Sequence, residues 1–236
     1  NSNKIIFESD NFEEIISDII KNNNVDTLII SIAGPKINDH SIKMSKIDFT
    51  FDASKLKSKF NLKNCILLND WEAIAHSYSF IKDEIDYIKT GEKFNEKVFF
   101  LGPGTGLGAS LLVNKDLVIP TEIGVTSNMS LKMQKNYNIH TDDNFLLEDF
   151  ISGSAISNIY KLKKNINLTS EEIYKKYKEK DSTAIEVIEG FIRCLAESLT
   201  DFAVTFIPGN GILLAGSLIR TIYPNINKDE FCDLFM

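Results

Sequence analysis

The chain has 236 residues, 43% of them hydrophobic, which is enough for one large domain or two modest ones with packed cores. The formal net charge of -7, with lysines scattered among acids, excludes the basic stripe that a nucleic-acid backbone requires. No apolar run has membrane-spanning length and no signal pattern opens the chain, so we expect neither a nucleic-acid nor a membrane partner. Three widely spaced cysteines favour thiols buried in a reducing compartment, which predicts a cytoplasmic protein.

The first half of the chain alternates strand-like and helix-like segments. A strand-like "KIIFES" precedes "NFEEIISDIIKNN", whose apolar residues recur at helical spacing, and "DTLIISIAG" then predicts a short buried strand. After a polar connection, "CILLNDWEAIAHSYSFI" predicts an apolar strand that turns into an amphipathic helix. Parallel strands with crossover helices follow from this order, so the fold class is α/β. The polar stretch from Lys82 to Lys97 predicts a boundary between a small domain, residues 1–97, and a large domain, residues 98–236.

The second half begins with three strand-like runs, "KVFFLG", "LGASLLV" and "LVIP", which predict a meander of short strands. Residues 185–206 carry apolar side chains at periods of three and four, and Pro208 with Gly209 ends this helix. The run "GILLAG" predicts a buried strand closed by Gly216. Because the chain starts in a strand-like segment and stops just after an apparent helix start, we expect it to be a fragment.

The stretch "LGPGTGLGAS", Leu101 to Ser110, packs four glycines and a proline between two apolar runs. It lacks the Gly-Lys-Ser/Thr of a Walker A loop, and extended residues follow where a dinucleotide fingerprint needs a helix. What remains is a hairpin connection, in which glycines can take positive φ and let backbone amides approach an anion. A plain turn and a phosphate-binding nest both stay open, although four glycines exceed what a turn requires.

Acidic and amide side chains lie near the ends of predicted elements. Asp70 follows an apolar strand, at the edge where open α/β sheets bind ligands. In a compatible interpretation, Asn69 caps the next helix in a capping box with Glu72, and Asp70 occupies the first turn. Glu122 and Glu148, each taken alone, are more typical of solvated acids. The three histidines have no metal-binding spacing, so we expect no resident metal site.

Six stretches, in this order, resemble the bacterial glucokinase family of the sugar-kinase and actin-like ATPase superfamily. "SIAGPKINDHSIKMSKIDFTFD" is similar to the segment before the family's "M-T-N" element, and "LLNDWEAIA" to its "NDF-A" motif. "LGPGTGLGAS" is close to the phosphate loop "GPGTGLG", and "IPTEIG" to "LP-E-GH". "LLEDFISGSAISNIY" resembles "E-LSG-GL-N-Y", and "GILLAGSLI" resembles the adenosine strand. The resemblance covers nearly the whole chain and implies a two-domain, ribonuclease H-like fold of the hexokinase type with an interdomain cleft.

The resemblance implies an ATP:glucose 6-phosphotransferase with a role for each candidate residue. Asp70 is implied to be the base that takes the proton from the sugar 6-hydroxyl as this oxygen attacks the γ-phosphate of ATP. Asn69, Glu122 and Glu148 are implied to hydrogen-bond the other sugar hydroxyls. The family also implies a homodimer, and Mg²⁺ that neutralises charge on the ATP phosphates. The implied nucleotide contacts are Gly102, Gly104, Thr105, Gly106 and Gly216.

Three departures from the family pattern keep other functions open. The family's amino-terminal "D-GGT" strand is absent from this chain, so we expect truncation at both ends and an inactive fragment. Val125 stands where the family has a histidine, with Thr126 as a possible substitute, and "MSKIDF" replaces an expected asparagine and tryptophan. The alternatives are a kinase for a different hexose and a non-catalytic sugar-binding or regulatory protein. An acyl-phosphate kinase is disfavoured, because both arginines, Arg193 and Arg220, lie in helix-like stretches.

Overall fold

The structure, a computed structural model, describes residues 11–44, 47–127, 130–141 and 145–235, and only the backbone of Ser130 and Leu131. The chain divides into two compact units, residues 1–73 and 74–236, and each has its own hydrophobic core. The domain boundary expected after Lys97 stays a prediction. No helix within the described ranges is long and apolar enough to cross a lipid bilayer.

Unit 1, residues 1–73, is built on a parallel pair of strands. The pairing places Ile32 opposite Asn69, so both strands end at the same edge of the sheet. This confirms the predicted parallel strands and the helix over "NFEEIISDIIKNN", whereas the predicted strand "KIIFES" lies outside the described residues. The elements in chain order are α1 (Phe12–Asn23), β1 (Thr27–Ile32), β2 (Lys36–Asn38), β3 (Ser41–Lys43), β4 (Thr50–Asp52), α2 (Ala53–Lys59), β5 (Asn64–Asn69) and α3 (Asp70–His76).

The segment between β1 and β5, a polar connection by its sequence pattern, forms a three-stranded antiparallel sheet and a helix. Strand β3 pairs with both β2 and β4. Asp52 caps α2 by accepting the backbone amide of Lys55 at 3.0 Å. The three strands escape sequence patterns because each has three residues, too few to show a two-residue hydrophobic period.

The core of unit 1 lies on one face of the β1–β5 pair. Phe12 of α1 packs edge-to-face on Phe51 of β4, with ring centroids 4.8 Å apart. Ile32 is the buried residue of β1, whereas Ile29 on the opposite face is 60% exposed. The prediction of a buried strand at "DTLIISIAG" is therefore wrong, because the described residues cover the strand on one side only.

Unit 2, residues 74–236, combines a four-stranded sheet with helices. Strands β6, β7 and β8 run antiparallel to their neighbours, as the predicted meander requires, and β9 pairs with β6 in parallel. Strand β9 is at the edge of the sheet and its residues are half-buried, so the prediction of a buried strand at "GILLAG" is wrong in burial. The elements are α4 (Tyr78–Ile81), β6 (Val98–Pro103), β7 (Leu107–Leu112), β8 (Val118–Thr121), 3₁₀ helix η1 (Ile123–Val125), α5 (Ser130–Asn136), 3₁₀ helix η2 (Leu147–Asp149), α6 (Gly153–Lys164), α7 (Ser170–Lys178), α8 (Ser182–Phe206), β9 (Ile212–Leu214), α9 (Ser217–Ile222), 3₁₀ helix η3 (Tyr223–Asn225) and α10 (Lys228–Leu234).

The 25-residue helix α8 contributes many of the buried residues in the core of unit 2. The carboxylate of Asp181 accepts the backbone amide of Ala184 at 2.8 Å and caps the helix start. Ile207 ends the helix in the left-handed conformation, with φ of 49°. Phe99 of β6 stacks on Phe206, with ring centroids 4.5 Å apart. The core therefore lies between α8 and strand β6, which is buried along its whole length.

Candidate functional site

The glycine-rich stretch forms the turn of the β6–β7 hairpin. Pro103 and Leu107 are the last paired residues, which leaves a three-residue loop at 104–106. Gly104 donates its amide to the carbonyl of Gly106 at 2.8 Å and closes the turn. The predicted hairpin connection is confirmed, but its glycines do not use the left-handed region. The described glycines with positive φ lie elsewhere in the chain.

The first turn of α6 holds this loop by its carbonyl groups. Gly153 donates its amide to the carbonyl of Gly104 at 2.7 Å, and the Ser154 hydroxyl donates to the carbonyl of Thr105 at 2.6 Å. In a trans peptide the N–H points away from the C=O of the same peptide unit, so the amides of Thr105 and Gly106 point away from α6. Neither amide has a hydrogen-bond partner among the described residues. Two adjacent unpaired amides are an arrangement that binds anions.

The carboxylate of Glu148, in η2, lies directly against the hairpin loop. Its Oε2 accepts the backbone amide of Leu107 at 3.3 Å. A Cβ atom at Gly106 would lie 2.5 Å from the same oxygen, and a Cβ atom at Gly124 would lie 3.4 Å from it. The hairpin, η1 and η2 therefore meet at one carboxylate. A side chain at position 106 would therefore displace this carboxylate, whereas the backbone conformation of residue 106 does not call for glycine.

The segment that carries Glu122 runs beside Glu148. A backbone hydrogen bond of 2.8 Å to the carbonyl of Thr126 joins η1 to η2. Glu122 is exposed just before η1, and Val125 at the end of η1 is 56% exposed. The Thr126 hydroxyl donates to the carbonyl of Ile123 at 2.9 Å. In this conformation Thr126 offers a ligand only an acceptor oxygen, whereas a histidine can also donate.

Asn69 closes the turn between β5 and α3. Its Oδ1 accepts the amides of Trp71 at 2.9 Å and Glu72 at 3.3 Å, and its Nδ2 donates to the carbonyl of Gly34 at 2.9 Å. Glu72 accepts the Asn69 backbone amide at 3.0 Å, so the capping-box interpretation is confirmed. Two bonds occupy Oδ1 and one occupies Nδ2, which leaves one N–H of this buried amide for a ligand.

Asp70 is the first residue of α3 and is half-buried. Burial raises the pKa of the Asp70 carboxyl, and a hydrogen bond from the Trp71 amide, 3.1 Å from Oδ1, opposes this shift only in part. A carboxylate with a raised pKa binds a proton more tightly than an exposed aspartate does. The position therefore suits a group that accepts a proton from a ligand hydroxyl.

The remaining candidates lie at the base of the same hairpin. Gly102 belongs to β6 and pairs with Gly108 of β7. Gly216 precedes α9 with φ of 110°, and a Cβ atom there would lie 3.8 Å from the carbonyl of Pro103. Unit 2 therefore brings Glu148 and all five predicted nucleotide contacts to one region. Unit 1 brings Asn69 and Asp70 together on one turn.

Sequence patterns missed two residues that shape these groups. The hydroxyl of Ser154 anchors the hairpin loop, and its Ser-Gly-Ser context, typical of a helix start, could have identified it. Lys36 forms an ion pair with Glu72, with 2.7 Å between Nζ and Oε1, and a single lysine after Gly-Pro carries no comparable signal. Within the described ranges, no group of three or more His, Cys, Asp and Glu side chains is arranged to hold a metal ion. The three cysteines are free, and Cys194 alone among them is buried.

Comparison with protein families gives a match over almost the entire chain. The family model described as Glucokinase matches residues 6–236. A glucokinase of Rhizobium johnstonii is 24% identical over 225 residues, which cover 86% of this chain and 64% of the relative. A glucokinase-like protein of Xylella fastidiosa is 23% identical over 88% of this chain and 67% of its own length. The chain thus spans about two-thirds of the length of these relatives.

Solved structures with the same fold include several sugar kinases. A glucokinase from an Antarctic psychrotroph superposes with a TM-score of 0.70 at 19% identity, covering 95% of this chain and 75% of that one. A ROK family glucokinase from Streptomyces griseus, in complex with glucose and AMPPNP, gives a TM-score of 0.67 at 16% identity, with coverage of 97% and 79%. At these identities the likeness shows the fold alone. The predicted α/β fold of the actin-like ATPase, hexokinase type is confirmed.

Proposed function

The chain belongs to the glucokinase family, and from this premise we propose that the protein transfers the γ-phosphate of ATP to the 6-hydroxyl of glucose. Asp70 is the general base, and Asn69, Glu122 and Glu148 bind the other sugar hydroxyls. The backbone of the hairpin loop, with Gly216 beside it, binds the nucleotide.

One observation carries this proposal: within unit 2, two loop amides without partners among the described residues lie next to the carboxylate of Glu148. The amides of Thr105 and Gly106 point away from α6 without partners among the described residues, and Gly104 has no atom nearer than 4.0 Å to where a Cβ would be. Phosphate oxygens can therefore approach the backbone closely. The Glu148 carboxylate, bound to the amide of Leu107, leaves Oε1 for a sugar hydroxyl.

The chemistry requires a proton acceptor for the attacking hydroxyl. As the sugar 6-oxygen bonds to the γ-phosphorus, its O–H bond breaks and the proton passes to Asp70, while the bond from phosphorus to the bridging oxygen of ADP breaks. Since burial raises the pKa of the Asp70 carboxyl, it binds this proton more tightly than an exposed aspartate does. The charge that develops on the phosphoryl oxygens is stabilised by the loop amides.

The sugar is recognised by a mixture of one donor and several acceptors. Asn69 has one N–H to donate, whereas the two glutamates accept from hydroxyl groups. A site of this kind rejects analogues that lack a hydroxyl, because a buried polar group is then left without a partner. Asn69 is the buried member of the set, so we expect the hydroxyl that it binds to matter most.

In this proposal Mg²⁺ binds together with ATP. Mg²⁺ is usually bound through one or two carboxylates together with substrate phosphates, so in this protein it would be held mainly by the phosphates of ATP. When bound, it neutralises charge on the phosphates that are being separated. A cytoplasmic location and a homodimer are further parts of the proposal, and light scattering on the full protein tests the second.

A coupled assay of ADP release with glucose and ATP tests the proposed function on the full protein. Asp70→Asn should lower kcat by about 100- to 10,000-fold, because it removes the proton acceptor while it keeps the size of the side chain. ATP affinity should change little. If Asp70→Asn kept near-normal turnover, the base would be assigned wrongly. If the unmodified protein bound glucose but released no ADP, it would be a sugar-binding or regulatory protein instead.

A second hexose is favoured by one observation in unit 2. Val125 is 56% exposed on the turn that follows Glu122, where a histidine would donate a hydrogen bond. An apolar side chain tolerates a sugar that lacks one hydroxyl or carries an apolar substituent. The ratio of kcat/KM for glucose and 2-deoxyglucose measures this tolerance, and Val125→His should raise the ratio in favour of glucose.

A further inference from the structure

A partly buried ion pair joins the first residue of β2 to α3 at the carboxyl edge of the β1–β5 pair in unit 1. The Nζ atom of Lys36, just after β1, lies 2.7 Å from Oε1 of Glu72 in α3. The side chain of Glu72 is 9% exposed and that of Lys36 is 28% exposed. Because β1 and β5 are parallel neighbours and Ile32 lies opposite Asn69, the segments that leave these strands run side by side.

The other oxygen of Glu72 closes the turn that carries the proposed base. Its Oε2 accepts the backbone amide of Asn69 at 3.0 Å, and Oδ1 of Asn69 accepts the amide of Glu72 in return. Asp70 lies between the two partners in sequence. A glutamine could close a capping box equally well, so the carboxylate is not needed for capping alone.

What the carboxylate adds is a charge-assisted bond to Lys36. A second hydrogen bond joins the same two segments, because Nδ2 of Asn69 donates to the carbonyl of Gly34 at 2.9 Å. The turn at Asn69 and Asp70 is thus bound at two points to the segment from Gly34 to Lys36. A carboxylate with so little exposure strongly requires its cation, since loss of one partner leaves a buried charge unpaired.

We infer that Lys36 is a positioning residue for Asp70: it fixes Glu72, and Glu72 fixes the turn from which Asp70 reaches the substrate. This inference rests on the proposed function of Asp70. Lys36 does not contact the reacting atoms in this account. Lys36 acts by holding the backbone of the turn that carries Asp70. A displacement of a catalytic group by about 1 Å can lower the rate by up to about 100-fold.

A matched control lies at the opposite end of the same strands. Lys63, just before β5, lies 2.6 Å from Oδ2 of Asp26, but these side chains are 77% and 55% exposed. Exposed pairs of this kind contribute little. Lys63→Met therefore removes a lysine and an ion pair from the same unit without disturbing the turn after β5.

The experiment compares kcat and KM of the full protein with those of four variants. Lys36→Met should lower kcat by about 10- to 100-fold with little change in KM for ATP, because the base is displaced while the nucleotide site in unit 2 is intact. Lys36→Arg keeps the cation and should recover most of this loss. The double variant Lys36→Met with Glu72→Gln removes the unpaired charge and keeps an acceptor for the Asn69 amide, so it should exceed Lys36→Met alone. Lys63→Met should match the unmodified protein.

Amide hydrogen exchange separates this inference from the proposed function. Lys36→Met should speed exchange at Asn69, Trp71 and Glu72, and the double variant should slow it again, whether or not the protein phosphorylates a sugar. If Asp70→Asn were fully active while these amides behaved as expected, the proposed base would fail and the link from Lys36 to the turn would stand. Unchanged kcat and unchanged exchange in Lys36→Met would overturn the inference. If Lys36→Met failed to fold, a double variant with a lower kcat than the unmodified protein and an unchanged KM for ATP would support the inference, and a double variant with the kcat and the amide exchange of the unmodified protein would overturn it.

Discussion

At the scale of single residues, Asp70 is subject to two opposing influences. The Trp71 amide stabilises its charged form, whereas burial, the larger of the two, favours the protonated form. The folded protein therefore binds the Asp70 proton more tightly than the unfolded chain does. Ionised Asp70 costs folding stability at pH values above its raised pKa, and this cost disappears as the pH falls below the pKa of the unfolded chain.

Because the pKa of Asp70 is raised in the folded protein, the effect of Asp70 on folding stability should depend on pH in a defined direction. Asp70→Asn should raise the melting temperature at neutral pH, and the difference from the unmodified protein should shrink as the pH is lowered. Asp26 is the control with the opposite sign, because its hydrogen bond to Lys63 lowers the pKa of its carboxyl. Asp26→Asn should give no increase at neutral pH. Melting curves from pH 7 to about pH 3 measure both effects, and a destabilised Asp70→Asn protein would contradict the argument.

The pH dependence of kcat should also report the raised pKa of Asp70. If Asp70 is the base, it must be ionised to act, so kcat falls as the pH is lowered through the pKa of Asp70 in the bound complex. We expect this acid limb above the usual aspartate range, because burial raises the pKa of Asp70 in the free protein. A pH profile of kcat that is flat across this region would contradict the assignment.

Two glycines of the hairpin loop differ in what surrounds them. A Cβ atom at Gly106 would lie 2.5 Å from Oε2 of Glu148, whereas one at Gly104 would meet nothing nearer than 4.0 Å. Gly106→Ala should therefore displace the Glu148 carboxylate and raise KM for the hexose, with a smaller effect on folding stability because this carboxylate is the end of a flexible side chain. Gly104→Ala is the matched control and should leave stability and hexose KM nearly unchanged. An equal effect of both variants would show that contact with Glu148 is not the reason why Gly106 is sensitive to substitution.

At the scale of secondary-structure elements, helix ends show where backbone strain is located. Ile207 follows the last residue of α8 and Asn165 follows the last residue of α6, and both adopt the left-handed conformation. Asparagine tolerates this conformation, but a β-branched residue at φ of 49° is strained by contact between its Cβ and the backbone. The side chain of Ile207 is 50% exposed, so little packing offsets the strain.

Replacing this residue should therefore stabilise the protein. Ile207→Gly relieves about 1–2 kcal/mol of strain, from which the greater flexibility of glycine in the unfolded chain subtracts about 0.5–1 kcal/mol. The carbonyl of residue 207 still accepts a hydrogen bond from the side-chain Nδ2 of Asn95. Asn165→Gly is the control and should change the free energy of unfolding by less. Urea unfolding measures the free energy of unfolding of the two variants. If Ile207→Gly lowered this free energy, or raised it no more than Asn165→Gly does, the strain argument would be refuted.

At the scale of the whole molecule, the two units have separate hydrophobic cores. Phe51 is 4% exposed in the core of unit 1, and Phe191 is 0% exposed in the core of unit 2. The described core of unit 2 contains many more buried side chains than that of unit 1. We therefore expect unit 1 to open at a lower free energy than unit 2.

Hydrogen exchange followed by mass spectrometry tests this independence. Phe51→Ala should remove about 3–5 kcal/mol of stability and speed exchange of unit 1 amides, with unit 2 amides little affected. Phe191→Ala should act mainly on unit 2. Equal acceleration of exchange in both units by either variant would show a single cooperative unit instead.

The sequence by itself determined the features that depend on neighbouring residues. The 25-residue helix α8, the β6–β7 hairpin and the capping box at Asn69 all follow from spacings of a few positions. The motifs around Asp70 and the glycine loop likewise identified the family, since each motif is a short contiguous segment. The three-residue strands β2, β3 and β4 were missed, because a strand so short shows no periodicity.

Only the tertiary structure decided which residues meet across long stretches of chain. Glu148 contacts Gly106 and Leu107 from 42 and 41 positions away, and Lys36 reaches Glu72 across 36 positions. The sequence suggested that the loop glycines serve backbone flexibility, but in the structure these glycines do not have positive φ, and a side chain at Gly106 would displace the Glu148 carboxylate. Local patterns record the preferences of a residue for its own conformation. They do not record the strand register that places the ends of β1 and β5, and hence Lys36 and Glu72, side by side.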